Sequence, residues 1–101
     1  PKSIAQDENN FLVKVVGDSM IDAHIKEGDM VLVSPTKIEP NNGDIVVAKI
    51  YNKGNEDITI KRFFKENDYI KLVSENKDYP PIEQEKISII GKVIGLIRLK
   101  I

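Results

Sequence analysis

The sequence predicts a mostly β fold in one domain. Its 101 residues are enough for one compact core and too few for two. The apolar residues come in short bursts, rich in β-branched side chains and bounded by turn formers, which is typical of strands. By contrast, we expect little helix, because only residues 20–26 have room for a helical turn and Gly28 limits it.

Six apolar segments are the predicted strands. They are residues 11–16, 30–33, 45–51, 58–64, 69–73 and 87–101. The third and fourth segments are separated by Lys53, Gly54 and Asn55, which favour a hairpin turn.

The last segment is so apolar that few of its positions suit a solvent-exposed face. Such a strand is either buried on both faces or pairs with another chain. Core packing and a homodimer contact through the carboxy-terminal strand, from Ile89 to Ile101, therefore both remain open.

Composition excludes several classes of protein. The 15 Lys+Arg and 16 Asp+Glu give a formal net charge of −1, which argues against a main task of neutralising nucleic-acid phosphates. The absence of cysteine excludes disulfides and thiolate chemistry. No apolar run is long enough for a membrane span, and the first ten residues have no apolar core of the kind a signal peptide needs, so we expect a cytoplasmic protein with no membrane partner.

The first ten residues are polar and predict a flexible lead-in, the remnant of a linker, ahead of a domain over residues 11–101. Since position 1 is proline, the chain is either processed at its start or part of a longer protein.

Metal and phosphate sites have little support. One histidine, no cysteine and carboxylates without calcium-loop spacing predict no metal site and no cofactor. His24 fits a surface or turn residue better than a catalytic base. The glycines form neither a P-loop nor a dinucleotide fingerprint.

Ser19 is the candidate nucleophile, because it lies on a Gly-Asp-Ser turn directly after an apolar strand. Such a turn exposes the hydroxyl, and its backbone N–H groups converge on a developing oxyanion. A structural turn explains the same residues, so this pattern alone is weak. The single histidine, five residues later, makes a Ser-His-Asp triad a poor fit and leaves a lysine base as the other route.

Lys61 is the candidate base, because it lies within an apolar strand. Alternation places Thr59, Lys61 and Phe63 on one face, where the amine is partly desolvated and Thr59 can orient it. A lysine that extends from a sheet edge into water is the alternative. An unperturbed amine is neutral in only about one part in 2,500 at pH 7, a cost of roughly 4.6 kcal/mol, so the mechanism requires burial.

Several motifs resemble LexA-type repressors and UmuD-type polymerase accessory proteins, in the same order along nearly the whole chain after residue 10. They are residues 11–22, 28–33, 43–48, 59–62, 72–76, 79–82 and 91–95. The resemblance implies a β-clip fold, as in LexA and signal peptidases, and a Ser-Lys serine endopeptidase that acts on its own chain. It implies Ser19 as nucleophile, Lys61 as general base, the N–H groups of Asp18 and Ser19 as oxyanion donors and Thr59 as the residue that orients the lysine.

The resemblance also implies partners. A RecA–single-stranded-DNA filament prompts self-cleavage in the SOS response to DNA damage. Repressors of this type dimerise through the carboxy-terminal domain, and bind operator DNA only through an amino-terminal domain absent from this sequence.

Two departures qualify this interpretation. No Ala-Gly bond, the usual target in LexA-type members, occurs in the chain, so we expect a cleaved or truncated product. The serine motif is also as similar to UmuD as to LexA. The alternatives to a LexA-type repressor domain are therefore a UmuD-type subunit of a translesion polymerase, a related phage-type repressor domain, and a non-catalytic β domain.

Overall fold

The chain forms one six-stranded antiparallel sheet and one short 3-10 turn in a computed structural model, which describes residues 9–35 and 39–99. The strands are β1 (Phe11–Lys14), β2 (Met30–Ser34), β3 (Ile45–Asn52), β4 (Asn55–Glu66), β5 (Tyr69–Val73) and β6 (Ser88–Ile97). The 3-10 turn spans Ile21–Ala23. The prediction of a mostly β fold is therefore confirmed.

The strand order is β1-β2-β6-β3-β4-β5, so the last strand in sequence lies inside the sheet. Its first half pairs with β3 and its second half with β2, and Lys92 faces a partner on both sides. The first half packs into the core through Ile89 and Ile90. Beyond it, Leu96 and Leu99 are 40% and 86% exposed, so core burial explains only the first part of this apolar segment.

Apolar side chains pack on both faces of the sheet, because neighbouring residues of a strand point to opposite sides. On β3, Val46 and Val47 are both buried and belong to different clusters. One cluster contains Val15, Met20, Ile25, Val31, Val33 and Val47, and the other contains Val46, Ala48, Ile50, Phe63 and Leu72.

The predicted hairpin joins β3 and β4. Lys53 and Gly54 both have positive φ, 51° and 82°, as a two-residue type I′ turn requires. The register places Lys61 opposite Val46. Since β5 pairs with β4 only from Arg62 onward, the strand edge before Arg62 is left unpaired by β5.

The loop between β1 and β2 is tied to the end of β6 by a buried carboxylate. Arg98 donates two hydrogen bonds of 2.8 Å to Asp29, which is 3% exposed, and the Lys26 N–H donates a third. These bonds lower the pKa of Asp29 to about 2. Arg98 therefore fixes the end of this loop that leads into β2, while β1 fixes its beginning.

Parts of two predicted segments lie outside the described residues. They are residues 1–8 of the predicted lead-in 1–10, and residues 100–101 of the last apolar segment.

Candidate active site

Ser19 lies in the loop after β1, on a turn that begins at Gly17. Gly17 has φ +81°, a backbone conformation that residues with a side chain rarely adopt. Its N–H donates to Glu27 Oε1 at 3.0 Å. The Ile21 N–H then donates to the Asp18 carbonyl at 3.2 Å and closes the turn. Ser19 lies at the centre of this turn and is half-buried.

Lys61 reaches the serine from β4, although 42 positions separate the two residues. Lys61 is 6% exposed, and its Nζ donates to Ser19 Oγ at 2.9 Å. Nζ also donates to Thr59 Oγ1 at 2.7 Å and to the Ile60 carbonyl at 3.1 Å. The structure thus brings Ser19, Lys61 and Thr59 together, with the amine held by three oxygen acceptors.

Burial lowers the pKa of Lys61 below 10.5, because the ammonium form loses hydration. The negative charge of Asp57 opposes this effect and raises the pKa. Desolvation is the larger influence, so at a given pH a larger fraction of the amine is neutral here than on an exposed lysine.

A cleft of about 230 Å³ opens beside the serine hydroxyl. Its walls are the last residue of β1, the loop that follows β1, and the first half of β4. They are formed by Lys14, Val15, Val16, Ser19, Met20, Ile58, Thr59 and Ile60. Two larger hollows, of about 370 and 470 Å³, lie around Tyr69 and Glu83 and share no residue with this cleft. The candidate site therefore lies at the smallest of these three cavities.

The predicted oxyanion donors are the backbone N–H groups of Asp18 and Ser19. Within residues 9–35 and 39–99, neither N–H donates to an acceptor of the protein. Both groups are therefore free of protein acceptors among the described residues, and their role as oxyanion donors stays a prediction.

Two contacts to the serine loop were missed by local sequence reasoning. Asn76 Nδ2 donates to the Asp18 carbonyl at 2.9 Å, and Tyr79 Oη donates to Asp18 Oδ1 at 2.6 Å. The motif segments 72–76 and 79–82 contain both residues, but nothing in their spacing connects them to position 18.

Other potential sites have less support. His24 is exposed, at the end of the 3-10 turn with φ 63°. In the described part of the chain, no three ligating side chains gather as a metal site would require. The described ranges also contain no helix with the length and apolar character to cross a bilayer.

Comparison with known proteins identifies the family. A family model described as Peptidase S24-like matches residues 1–94. This chain belongs to the Peptidase S24-like family. The predicted resemblance to LexA/UmuD-type peptidases is thereby confirmed.

Curated relatives of this S24-like chain are LexA repressors. The LexA repressor of Clostridium perfringens (strain SM101 / Type A) is 52% identical over 88 residues, which cover 87% of this chain and 41% of the relative. That of Caldicellulosiruptor saccharolyticus is 48% identical over 98 residues, which cover 97% of this chain and 46% of the relative. The chain thus spans less than half the length of these relatives, and the names favour a domain of LexA type over a polymerase accessory subunit.

Proposed function

We propose that residues 11–101 form the self-cleaving and dimerisation domain of a LexA-type repressor of the SOS response, in the cytoplasm. Ser19 is the nucleophile and Lys61 the general base, and the target bond lies in the protein's own linker. A RecA–single-stranded-DNA filament stimulates the cleavage. The observation that carries the proposal is the 2.9 Å contact between Lys61 Nζ and Ser19 Oγ, made by a lysine that is 6% exposed.

The first chemical step is acylation of Ser19. Neutral Lys61 Nζ accepts the Oγ proton while Oγ bonds to the carbonyl carbon of the target peptide, and the carbonyl π electrons move to its oxygen. When this oxyanion collapses, the C–N bond breaks and the Lys61 ammonium gives its proton to the leaving nitrogen. The products are an ester on Ser19 and a free amine.

The second step is hydrolysis of the ester. Lys61, neutral again, takes a proton from a water molecule as the water oxygen bonds to the ester carbon. The C–Oγ bond then breaks, Ser19 recovers its proton from Lys61, and a free carboxylic acid leaves.

Charge on the oxyanion is stabilised by the N–H groups of Asp18 and Ser19. In serine peptidases, removal of one such donor costs a factor of about 10² to 10³ in rate. Support comes from the absence of a protein acceptor for either N–H within residues 9–35 and 39–99.

Dimerisation is assigned to the carboxy-terminal strand, the region from Ile89 to Ile101, and within it to the exposed end. Leu96, Ile97 and Leu99 are 40%, 43% and 86% exposed, which is costly for apolar side chains in water unless a partner covers them. Sedimentation of the full-length protein is expected to give a dimer, and substitution of Leu96 by Glu a monomer. A wild-type protein that stays monomeric at high concentration would contradict this part of the proposal.

Self-cleavage is tested in the full-length gene product, which includes the linker. We expect first-order cleavage that accelerates with pH between pH 7 and pH 10 and that disappears in Ser19→Ala and Lys61→Ala. Ser88→Ala and Lys71→Ala are matched controls, because both residues are exposed and lie outside the cleft. Wild-type chains that stay intact over the whole pH range would sink the proposal.

Addition of a RecA filament on single-stranded DNA tests whether the filament stimulates self-cleavage. We expect cleavage near neutral pH to be faster with the filament than without it. Equal rates with and without the filament would remove RecA from the proposal and leave the peptidase.

A further inference from the structure

The segment after β5, residues 74–79, contacts the serine loop on both sides of Ser19. The Asp22 N–H donates to the Glu75 carbonyl at 2.8 Å, and the Glu75 N–H contacts Met20 Sδ at 3.4 Å. On the other side of the serine, Asn76 Nδ2 donates to the Asp18 carbonyl at 2.9 Å. We refer to residues 74–79 as the brace.

The brace is also attached to the strand that carries the lysine. Arg62, the residue after Lys61, forms an ion pair with Glu75 through Nε and Oε1. Its guanidinium donates as well to the Gly43 carbonyl at 2.5 Å. The two halves of the Ser19–Lys61 pair are thus connected through one short segment.

The contact between Asn76 and Asp18 has a consequence for the next N–H group. The Asp18 carbonyl and the Ser19 N–H belong to one planar trans peptide unit, so they point in opposite directions. A donor that fixes the carbonyl therefore fixes the direction of the Ser19 N–H. The turn bond from Ile21 to the same carbonyl is longer, at 3.2 Å, so Asn76 is the closer of its two donors.

Asn76 is itself held in place. Its Oδ1 accepts the Asp78 N–H at 3.0 Å, and its carbonyl accepts the Tyr79 N–H at 3.1 Å. Because Oδ1 is occupied within the brace, the amide nitrogen is the end that faces Asp18. Tyr79 adds a second bond, from Oη to Asp18 Oδ1 at 2.6 Å, and this hydrogen bond to the Asp18 carboxylate raises the pKa of Tyr79.

We propose that Asn76, assisted by Tyr79, is a positioning residue that orients the Ser19 N–H as an oxyanion donor by holding Asp18. The proposal rests on the proposed function, because it assumes that Ser19 acylates. It assigns to Asn76 and Tyr79, and to no other side chain of the brace, an effect on the rate of the chemical step through the oxyanion donor rather than through the basicity of Lys61.

The test compares pH profiles of self-cleavage for full-length wild type, Asn76→Asp, Tyr79→Phe and Lys77→Ala. Asn76→Asp keeps the oxygen that accepts the Asp78 N–H and removes the donor to Asp18. Lys77→Ala is the matched control, since it also lowers the net charge by one and changes an exposed side chain of the brace. Thermal unfolding of each variant reports any loss of fold.

We expect the plateau rate of Asn76→Asp to fall about 10- to 100-fold, less than the roughly 10²- to 10³-fold cost of losing an oxyanion donor, because the Ser19 N–H is misdirected but not removed. Tyr79→Phe is expected to fall less, and Lys77→Ala to match the wild type. The pH midpoint of Tyr79→Phe stays at the wild-type value, and that of Asn76→Asp moves no further than that of Lys77→Ala, which has the same change in net charge. General loosening of the site would instead expose Lys61 and raise the midpoint beyond this control.

An unchanged plateau in both Asn76→Asp and Tyr79→Phe would overturn the inference while wild-type cleavage upholds the proposed function. A midpoint that rises together with a lower unfolding temperature would also overturn it, since the brace would then act only through stability. If Asn76→Asp does not fold, Tyr79→Phe decides alone, because it removes a single exposed hydroxyl.

Discussion

Thr59 and Lys61 lie on the same face of β4, and the threonine hydroxyl accepts a hydrogen bond of 2.7 Å from Lys61 Nζ. Two residues of one strand thus form part of the candidate site without help from the rest of the fold. The bond keeps the flexible lysine side chain directed at Ser19 Oγ, which is 2.9 Å from the same nitrogen. This orientation is the basis of the first prediction.

Thr59→Val replaces the hydroxyl by a methyl group of similar size. We expect the plateau rate of self-cleavage to fall about tenfold, because the amine loses a partner that aligns it. The pH midpoint should not rise, since the lost oxygen stabilised the ammonium form. Thr59→Ser, which restores the hydroxyl, is expected to recover most of the rate, and an equal loss in both variants would exclude a role for the hydrogen bond.

Substitution of Asp57 tests how a nearby charge affects the pKa of Lys61. Its negative charge raises the pKa of Lys61, against the larger lowering by burial. Asp57→Asn keeps the oxygen that accepts the Ile58 N–H and removes the charge, so the midpoint of the cleavage profile should move to lower pH. Asp68→Asn, with the same change in net charge at the β4–β5 turn, should leave the midpoint in place, and an equal shift in both would point to net charge alone.

Burial of Lys61 also predicts how stability depends on pH. Because folding lowers its pKa below 10.5, the unfolded chain binds more protons between the two pKa values. Below the folded-state pKa, burial of the ammonium lowers the free energy of unfolding by its full amount. This loss becomes smaller as the pH rises toward 10.5, because the amine is then neutral in the folded protein. The free energy of unfolding of wild type, relative to Lys61→Met, should therefore increase from pH 7 to pH 10.

Urea unfolding at the two pH values measures this difference. Lys71→Met is the control, because Lys71 is exposed on β5 and its substitution should give a difference that does not change with pH. A flat difference for Lys61→Met as well would mean that its amine is hydrated in the folded protein.

The strands were predictable where apolar residues form them, and less so elsewhere. The fifth predicted segment, residues 69–73, matches β5 at both ends. β4 begins three residues earlier than predicted, at Asn55, because the hairpin ladder continues through polar residues that are exposed and carry no apolar signal. β1 ends at Lys14, before the apolar Val16, which is 81% exposed.

The residues of the candidate site could be predicted from the sequence for two different reasons. Thr59 and Lys61 share a face through strand alternation alone. The pairing of Lys61 with Ser19 came from the family resemblance, since no local pattern relates positions 42 residues apart. The contacts of Asn76 and Tyr79 with Asp18 depend on how the segment after β5 folds back, so they were visible only in the structure.

Close packing of β6 against β2 gives a prediction about stability. A Cβ atom on Gly91 would lie 2.6 Å from Val33 Cγ1 and 2.7 Å from the Ser34 carbonyl oxygen, and a backbone atom cannot move away cheaply. Gly91→Ala is therefore expected to destabilise the protein by about 1–3 kcal/mol, the usual cost of overpacking. Gly95→Ala is the matched control on the same strand, because its Cβ would meet Leu32 Cβ at 3.6 Å, an ordinary contact. Urea unfolding of both variants measures the difference, and equal stability of the two would show that β6 and β2 are less tightly packed than this register implies.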